Sequence, residues 1–160
     1  MATVSTGNIY EDLIQNVVNL ISNNRLQFNP DIKKVYDADL SMIPVFPCVT
    51  VELDYSGPEE WAEMGSGSNP KRIPITLAIT YYHSELDERT RRKDVRKALE
   101  KLADILRQNW NINNFCSRWG STIDSVTPYA IHPSGATPEY WIAGGRVMIT
   151  CYVEETVTIR

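Results

Sequence analysis

Apolar side chains recur at every third or fourth position from Ile9 to Ile21, while Glu11, Asp12, Gln15, Asn16 and Asn19 occupy the other side of the same turn. This spacing predicts a helix over residues 8–23. Asn8 stands at the N-cap position with Glu11 three residues on, in capping-box register, and Asn23–Asn24 offers a left-handed stop. A short apolar pattern around Ile32–Tyr36 predicts a brief strand, and Pro44 keeps the chain after it extended.

The hydrophobic period then falls to two. In Val45–Tyr55 the odd positions Val45, Val49, Val51, Leu53 and Tyr55 are apolar, against Thr50, Glu52 and Asp54 on the other face. Ile73–His83 repeats the logic, with Ile73, Ile75, Leu77, Ile79 and Tyr81 against Thr76, Thr80 and Tyr82, so an antiparallel pair is expected. At about 3.3 Å per residue each pattern could extend for roughly 36 Å. A compact chain of this length has a radius of gyration near ~15 Å, so the end of the hairpin should protrude. Its connector, about residues 56–72, is polar and glycine-bearing (SGPEEWAEMGSGSNPKR), and a loop of that length is expected to be mobile in a free subunit.

Ser84 can cap a second helix, with Asp87 at the capping-box position. Val95, Ala98, Leu99, Leu102, Ala103, Ile105 and Leu106 then form a core-facing stripe to about Gln108. Beyond the asparagine-rich turn WNINNF, Ser121–Ile131 and Tyr140–Thr158 read as strands broken by Pro128, Pro133, Gly135, Pro138 and Gly144–Gly145. The order helix, strands, helix, strands predicts one α+β domain over residues 1–160, with two helices packed on one face of a mainly antiparallel sheet. Trp110 and Trp119 are expected to close the base of its core.

Composition narrows the chemistry. The 160 residues are 42% hydrophobic, enough for one core without disulfides or metals, and carry a formal charge of −4. Cys48, Cys116 and Cys151 are odd in number and lack CxxC spacing, which suits thiols in a reducing compartment. The soft donors for a metal are these cysteines with His83 and His132, and they share no ligand motif. Cys151 alternates with core positions, and neither Cys116 nor Cys48 stands in a nucleophile context with His132. Gly65–Gly67 and Gly144–Gly145 lack phosphate-loop spacing. No cofactor and no enzyme activity are expected. No basic segment leads into a long apolar run near Met1, and no stretch of about 18 apolar residues occurs, so a soluble protein made in the cytoplasm and without membrane contact is expected.

Two charged sets remain. Glu59, Glu60 and Glu63 surround Trp61 in the connector ending at Arg72, and could dock on a basic neighbour with the indole as anchor. Arg89, Arg91, Arg92, Lys93, Arg96, Lys97 and Lys101 crowd the second helix, but Asp87, Glu88, Asp94, Glu100 and Asp104 are interspersed and no aromatics are. A subunit-contacting or solvated helix face fits that mixture better than a nucleic-acid surface. Glu52 and Asp54 share one strand face. As a solvated face they need no further role, and lining a pore they would repel a passing polyanion.

Taken together, NIYEDLIQNVVNLI, FPCVTVELDY, RIPITLAITYYH, RRKDVRKALEKLADILRQN and GGRVMITCYVEE resemble, in order and texture, the tail terminator or tail-completion proteins of tailed bacteriophages. The resemblance spans nearly the whole chain. It implies an α+β subunit of a hexameric ring at the head-proximal end of the tail tube, in the virion, ending tube polymerisation and presenting a surface to the head connector. The partners it implies are further copies of the chain, the tail tube protein and a connector or neck protein, with DNA passing through without specific binding. The family has no catalytic residues to transfer. Candidate contacts are therefore physical: Glu59, Glu60, Trp61, Glu63, Arg72, Arg89, Arg91, Arg92 and Arg96, with Glu52 and Asp54 facing the lumen. A head-closure or neck protein of the same virion, and a nucleic-acid-binding module using helix 85–108, are the alternatives.

Overall fold

The computed structural model describes residues 8–38, 45–61, 68–85, 87–116, 119–131 and 142–158. Helix α1 spans Ile9–Asn23 and helix α2 Glu88–Gln108. The strands are β1 (Lys34–Tyr36), β2 (Cys48–Ser56), β3 (Glu60–Trp61), β4 (Ser68–Ser84), β5 (Ser121–Ile131) and β6 (Ile142–Thr158). They form one six-stranded sheet in the order β1-β2-β4-β6-β5, with β3 paired to β4 off this path. Only β1 and β2 are parallel among these pairings, so the fold is α+β with a mainly antiparallel sheet.

Alternation decides which face the helices cover. Ile73, Ile75, Leu77, Ile79 and Tyr81 of β4 line up with Val147, Ile149, Cys151 and Val153 of β6, and all belong to one apolar cluster. Leu13, Val17 and Ile21 of α1 and Val95, Leu99, Leu102 and Leu106 of α2 complete it, so both helices lie on the same face. Each fully buried side chain of this kind contributes roughly 1.5–3 kcal/mol. Gly145 is fixed by close approach: a Cβ there would sit 2.4 Å from Leu99 Cδ1, so α2 packs against bare backbone at this point. The opposite face is richer in hydroxyls, with Thr76 and Thr150 3.1 Å apart across the ladder and Arg146 Nε donating to Thr80 at 3.2 Å.

Several local expectations change. The N-cap of α2 is Asp87, not Ser84: its carboxylate accepts from the Thr90 amide at 3.0 Å, while Ser84 is still the last residue of β4. Pro128 and Gly144–Gly145 do not break their strands but lie within β5 and β6. β2 begins at Cys48, so Val45 falls outside it. A bulge at Asp54 then shifts the register, so that Tyr55 opposes Thr76 where an unbroken alternation would have kept it on the core side. Tyr55 is 60% exposed in consequence. Trp110 and Trp119 do not close the core either, being 51% and 49% exposed. The asparagine-rich turn instead seals that end with Ile112, fully buried at φ +48, where burial offsets a backbone conformation unfavourable for a β-branched residue.

The long connector is the largest revision. β4 and β6 pair without interruption from Ser68–Thr158 to Ser84–Ile142, so the 17-residue β4 extends well past the sequence-predicted start at Ile73. Glu60 and Trp61 pair with Arg72 and Lys71, so both ends of the expected mobile loop are strand, and residues 62–67 lie outside the described set. The extended element is thus a ribbon of β4 and β6 with β3 along its side, rather than a simple hairpin of two strands and a loop.

Candidate assembly surface

The last core residues of the ribbon are Ile73 and Val153, which oppose one another. Beyond them the chain presents Arg72, Lys71 and Pro70 against Glu154, Glu155 and Thr156, a segment without apolar alternation. Its cohesion comes from charge and π-faces. Lys71 Nζ lies 3.3 Å from Glu59 and 4.7 Å from the Trp61 ring centroid. Arg72 pairs with Glu60 at 2.5 Å and places its guanidinium 4.8 Å from the Trp119 centroid and 5.4 Å from that of Tyr152. Each cation is thereby held between a carboxylate of Glu59–Glu60 and at least one aromatic ring, an arrangement worth about 0.5–1 kcal/mol per cation–π contact at an exposed site.

Trp119 reaches Arg72 because the turn before β5 is folded tightly. Gly120 adopts φ +67, and a Cβ there would lie 2.3 Å from Trp110 Cε3. The Gly120 carbonyl accepts from the Tyr152 amide at 2.9 Å, and the Ser121 hydroxyl donates to the Trp110 carbonyl at 2.8 Å. The two tryptophans are therefore fixed on backbone next to Tyr152 while much of each indole remains in solvent. Burial of aromatic surface against a partner is the main energetic capacity of such a patch.

A second charged surface lies on α2. Arg89, Arg92 and Arg96 are exposed, and Arg92 pairs with Glu88 at 2.8 Å. Arg91 differs. It is 6% exposed and donates to the Glu85 carbonyl at 2.6 Å, so it fastens the connector between β4 and α2 and is removed from the outward face on which it was expected. The sequence grouped it with its neighbours because charge alone does not report helix angle; four residues before Val95, it falls on the core stripe.

Of the nine residues expected at contacts, Glu59, Glu60, Trp61 and Arg72 are brought together at the ribbon, and Arg89, Arg92 and Arg96 on α2. Glu63 lies outside the described residues. Glu52 is partly buried on β2 and Asp54 is exposed at the bulge, on the strand segment that carries Tyr55. Lys71, Trp119 and Tyr152 were missed as ribbon residues. A cation directly before Arg72, and aromatics at both ends of the turn into β5, were the available signals.

Among the described residues no group of three His, Cys, Asp or Glu side chains is placed to hold a metal ion. His83 Nε2 sits 3.2 Å from Asp94 Oδ2, but the imidazole is 5% exposed and lies under α2, where it ties the end of β4 to the helix. Tyr81 beside it is fully buried, and that burial, followed by the Asp94 charge, pushes its phenol well above the usual range. Cys151 is likewise raised by a hydrogen bond with Cys116 and by burial, so its thiol is held neutral inside the core. Among the described residues no helix is long and apolar enough to cross a membrane.

Compared by sequence with protein-family models and with curated proteins, the chain gives no match.

Proposed function

We propose that the chain is a structural virion protein of the tail-terminator type, assembling as a ring, hexameric by the family resemblance, that caps the tail tube, ends its polymerisation and joins it to the head. The observation that carries this is the ribbon: a pairing of β4 and β6 that continues past the core, with exposed tryptophans and charges of both signs beside it. An extension of that kind contributes little to the fold of its own subunit and offers area, aromatic anchors and polar rim to another. Glu52 and Asp54 would face the passing DNA and keep it from adhering.

Mixing the purified protein with polymerising tail tubes and measuring tube lengths by electron microscopy tests the reading. Rings on one end of tubes that have ceased to lengthen are expected. A protein that stays monomeric by light scattering and leaves tube growth unchanged sinks it. Depleting the protein from infected cells separates the neck alternative: overlong tails support a terminator, whereas normal tails beside filled heads that leak DNA support head closure.

A further inference from the structure

One face of α2 carries a row of cations, most of which make no ion pair among the described residues. Arg89, Lys93, Lys97 and Lys101 follow one another at four-residue intervals, about 18 Å along the helix at 1.5 Å per residue, with Arg92 and Arg96 beside them. Like charges at this spacing disfavour the helix that bears them. Only Arg92 of this group makes an ion pair among the described residues, to Glu88. The ribbon end has the opposite balance. There Glu59, Glu60, Glu154 and Glu155 surround two cations, Lys71 and Arg72, both already paired within the ribbon.

These surfaces cannot meet in one molecule. The Asp94–His83 contact and the packing of Leu99 over Gly145 hold the basic part of α2 over one end of the sheet. Arg72 and His83 are eleven residue steps apart along β4, which is about 36 Å of strand. A basic patch and an acidic, tryptophan-bearing patch at opposite ends of one subunit are complementary between copies.

We propose that the α2 face centred on Lys93 and Lys97 seats on the ribbon of a second copy, on the side of Lys71, its cations meeting Glu59 and Glu155 and the exposed part of Trp61. A contact between two different patches is heterologous, so it propagates head to tail and closes into a ring when the rotation permits. Lysine and arginine suit this partner because carboxylates and indole faces both attract them. The assignment deepens the ring reading and rests on it for the closure of the assembly, but not for the pairing of the surfaces.

Sedimentation velocity on the full chain tests it, with circular dichroism and melting curves to confirm that each variant is folded. Wild-type association should weaken as salt rises from 50 to 500 mM, as expected for paired charges. K93E/K97E and E59K/E155K should each weaken self-association by at least about tenfold, and the milder K93Q/K97Q by less. The quadruple variant, in which both surfaces are reversed, should recover association, and the two double variants mixed together should associate with one another. Three results overturn the proposal: wild-type protein that does not self-associate, double variants that associate as wild type does, or no recovery in the quadruple variant. So does a K93E/K97E protein that loses affinity for a short DNA duplex while its self-association is unchanged, which would make α2 a nucleic-acid surface. Tube capping is scored separately. Recovery of association without capping in any variant or in wild type leaves the paired surfaces standing and removes the terminator reading.

Discussion

β4 and β6 form one continuous ladder, yet the two ends of that ladder are held by different physics. From Ile73 to Tyr81 and from Val147 to Val153, alternate side chains are buried beneath α1 and α2. At Lys71 and Arg72, opposite Glu155 and Glu154, the side chains are partly exposed and the stabilising partners are carboxylates and aromatic rings. Backbone pairing is the same in both. The comparison teaches that strand length in this protein is not set by the core, and that the portion outside the core has an energetic basis sensitive to salt and to single charges, whereas the inner portion does not.

The largest effects should come from the inner region. Leu77 is fully buried in the middle of the sheet, so Leu77→Ala should cost about 2–5 kcal/mol and lower the denaturant midpoint of the whole molecule. The amides of Ile75 to Ile79 should lose protection with the global transition, while those of Lys71 and Arg72, held by exposed contacts, should change less. Equal loss at both would make the ribbon part of the core's cooperative unit and remove the difference between the two regions.

Asp94→Ala comes next, at about 1–3 kcal/mol. The imidazole of His83 is buried, Asp94 is its one hydrogen-bond partner among the described residues, and Nδ1 already has none. Removing the carboxylate leaves both ring nitrogens unsatisfied. Asp94→Asn, which can still accept, should recover most of the loss in urea titrations; failure of the asparagine to do so would assign the effect to charge instead of hydrogen bonding.

What the sequence revealed divides along the same line. α1, α2 and the inner parts of β2, β4 and β6 were legible because burial on one face imposes a period, 3.6 for Leu13–Ile21 and Val95–Leu106, and two for Ile73–Tyr81 and Val147–Val153. The outer ribbon imposes none. Ser68–Arg72 reads SNPKR, a sequence with the marks of a loop, and becomes strand through pairing with residues almost ninety positions away. Bulges are equally silent in a period: Asp54 and Asp124 each add a residue, so side chains beyond them change face, as Tyr55 does. Arg91 was misplaced for a different reason, because its buried guanidinium is satisfied by a carbonyl at Glu85 that no side-chain pattern indicates. Of the candidate surface, the charges and Trp61 were visible, and their zipping onto Lys71, Arg72 and Trp119 was not.

A smaller effect is expected at the ribbon. Arg72→Ala removes an exposed ion pair and two cation–π contacts, together about 1 kcal/mol or less of global stability. Its local consequence should be larger than its global one. Hydrogen exchange at Trp61, Lys71 and Glu155 should accelerate while Ile75 to Ile79 remain protected, and high salt should reproduce part of the change in the wild type. A melting shift as large as that of Leu77→Ala would show that the ribbon is part of the core's cooperative unit after all.

The smallest effect is confined to one helix end and to acid. Asp87 caps α2 by accepting from the hydroxyl and amide of Thr90, and these bonds, with the nearby charges of Arg89 and Arg91, hold its carboxyl below the usual value of 3.8. A depressed folded-state value means that the cap's contribution is complete above the unfolded value and disappears as pH falls through the folded one. Amide protection at Thr90 and Arg91 should therefore be constant at neutral pH and decline only below about pH 4. Asp87→Ala should abolish that acid dependence while giving the acid-state protection at every pH, and Asp87→Asn, an equally good cap without a titrating group, should keep protection at low pH. A decline at low pH that persists in Asp87→Asn would move the acid sensitivity of this helix end from its cap to another carboxylate, and with it the assignment of Asp87 as the residue that starts α2 beside its basic face.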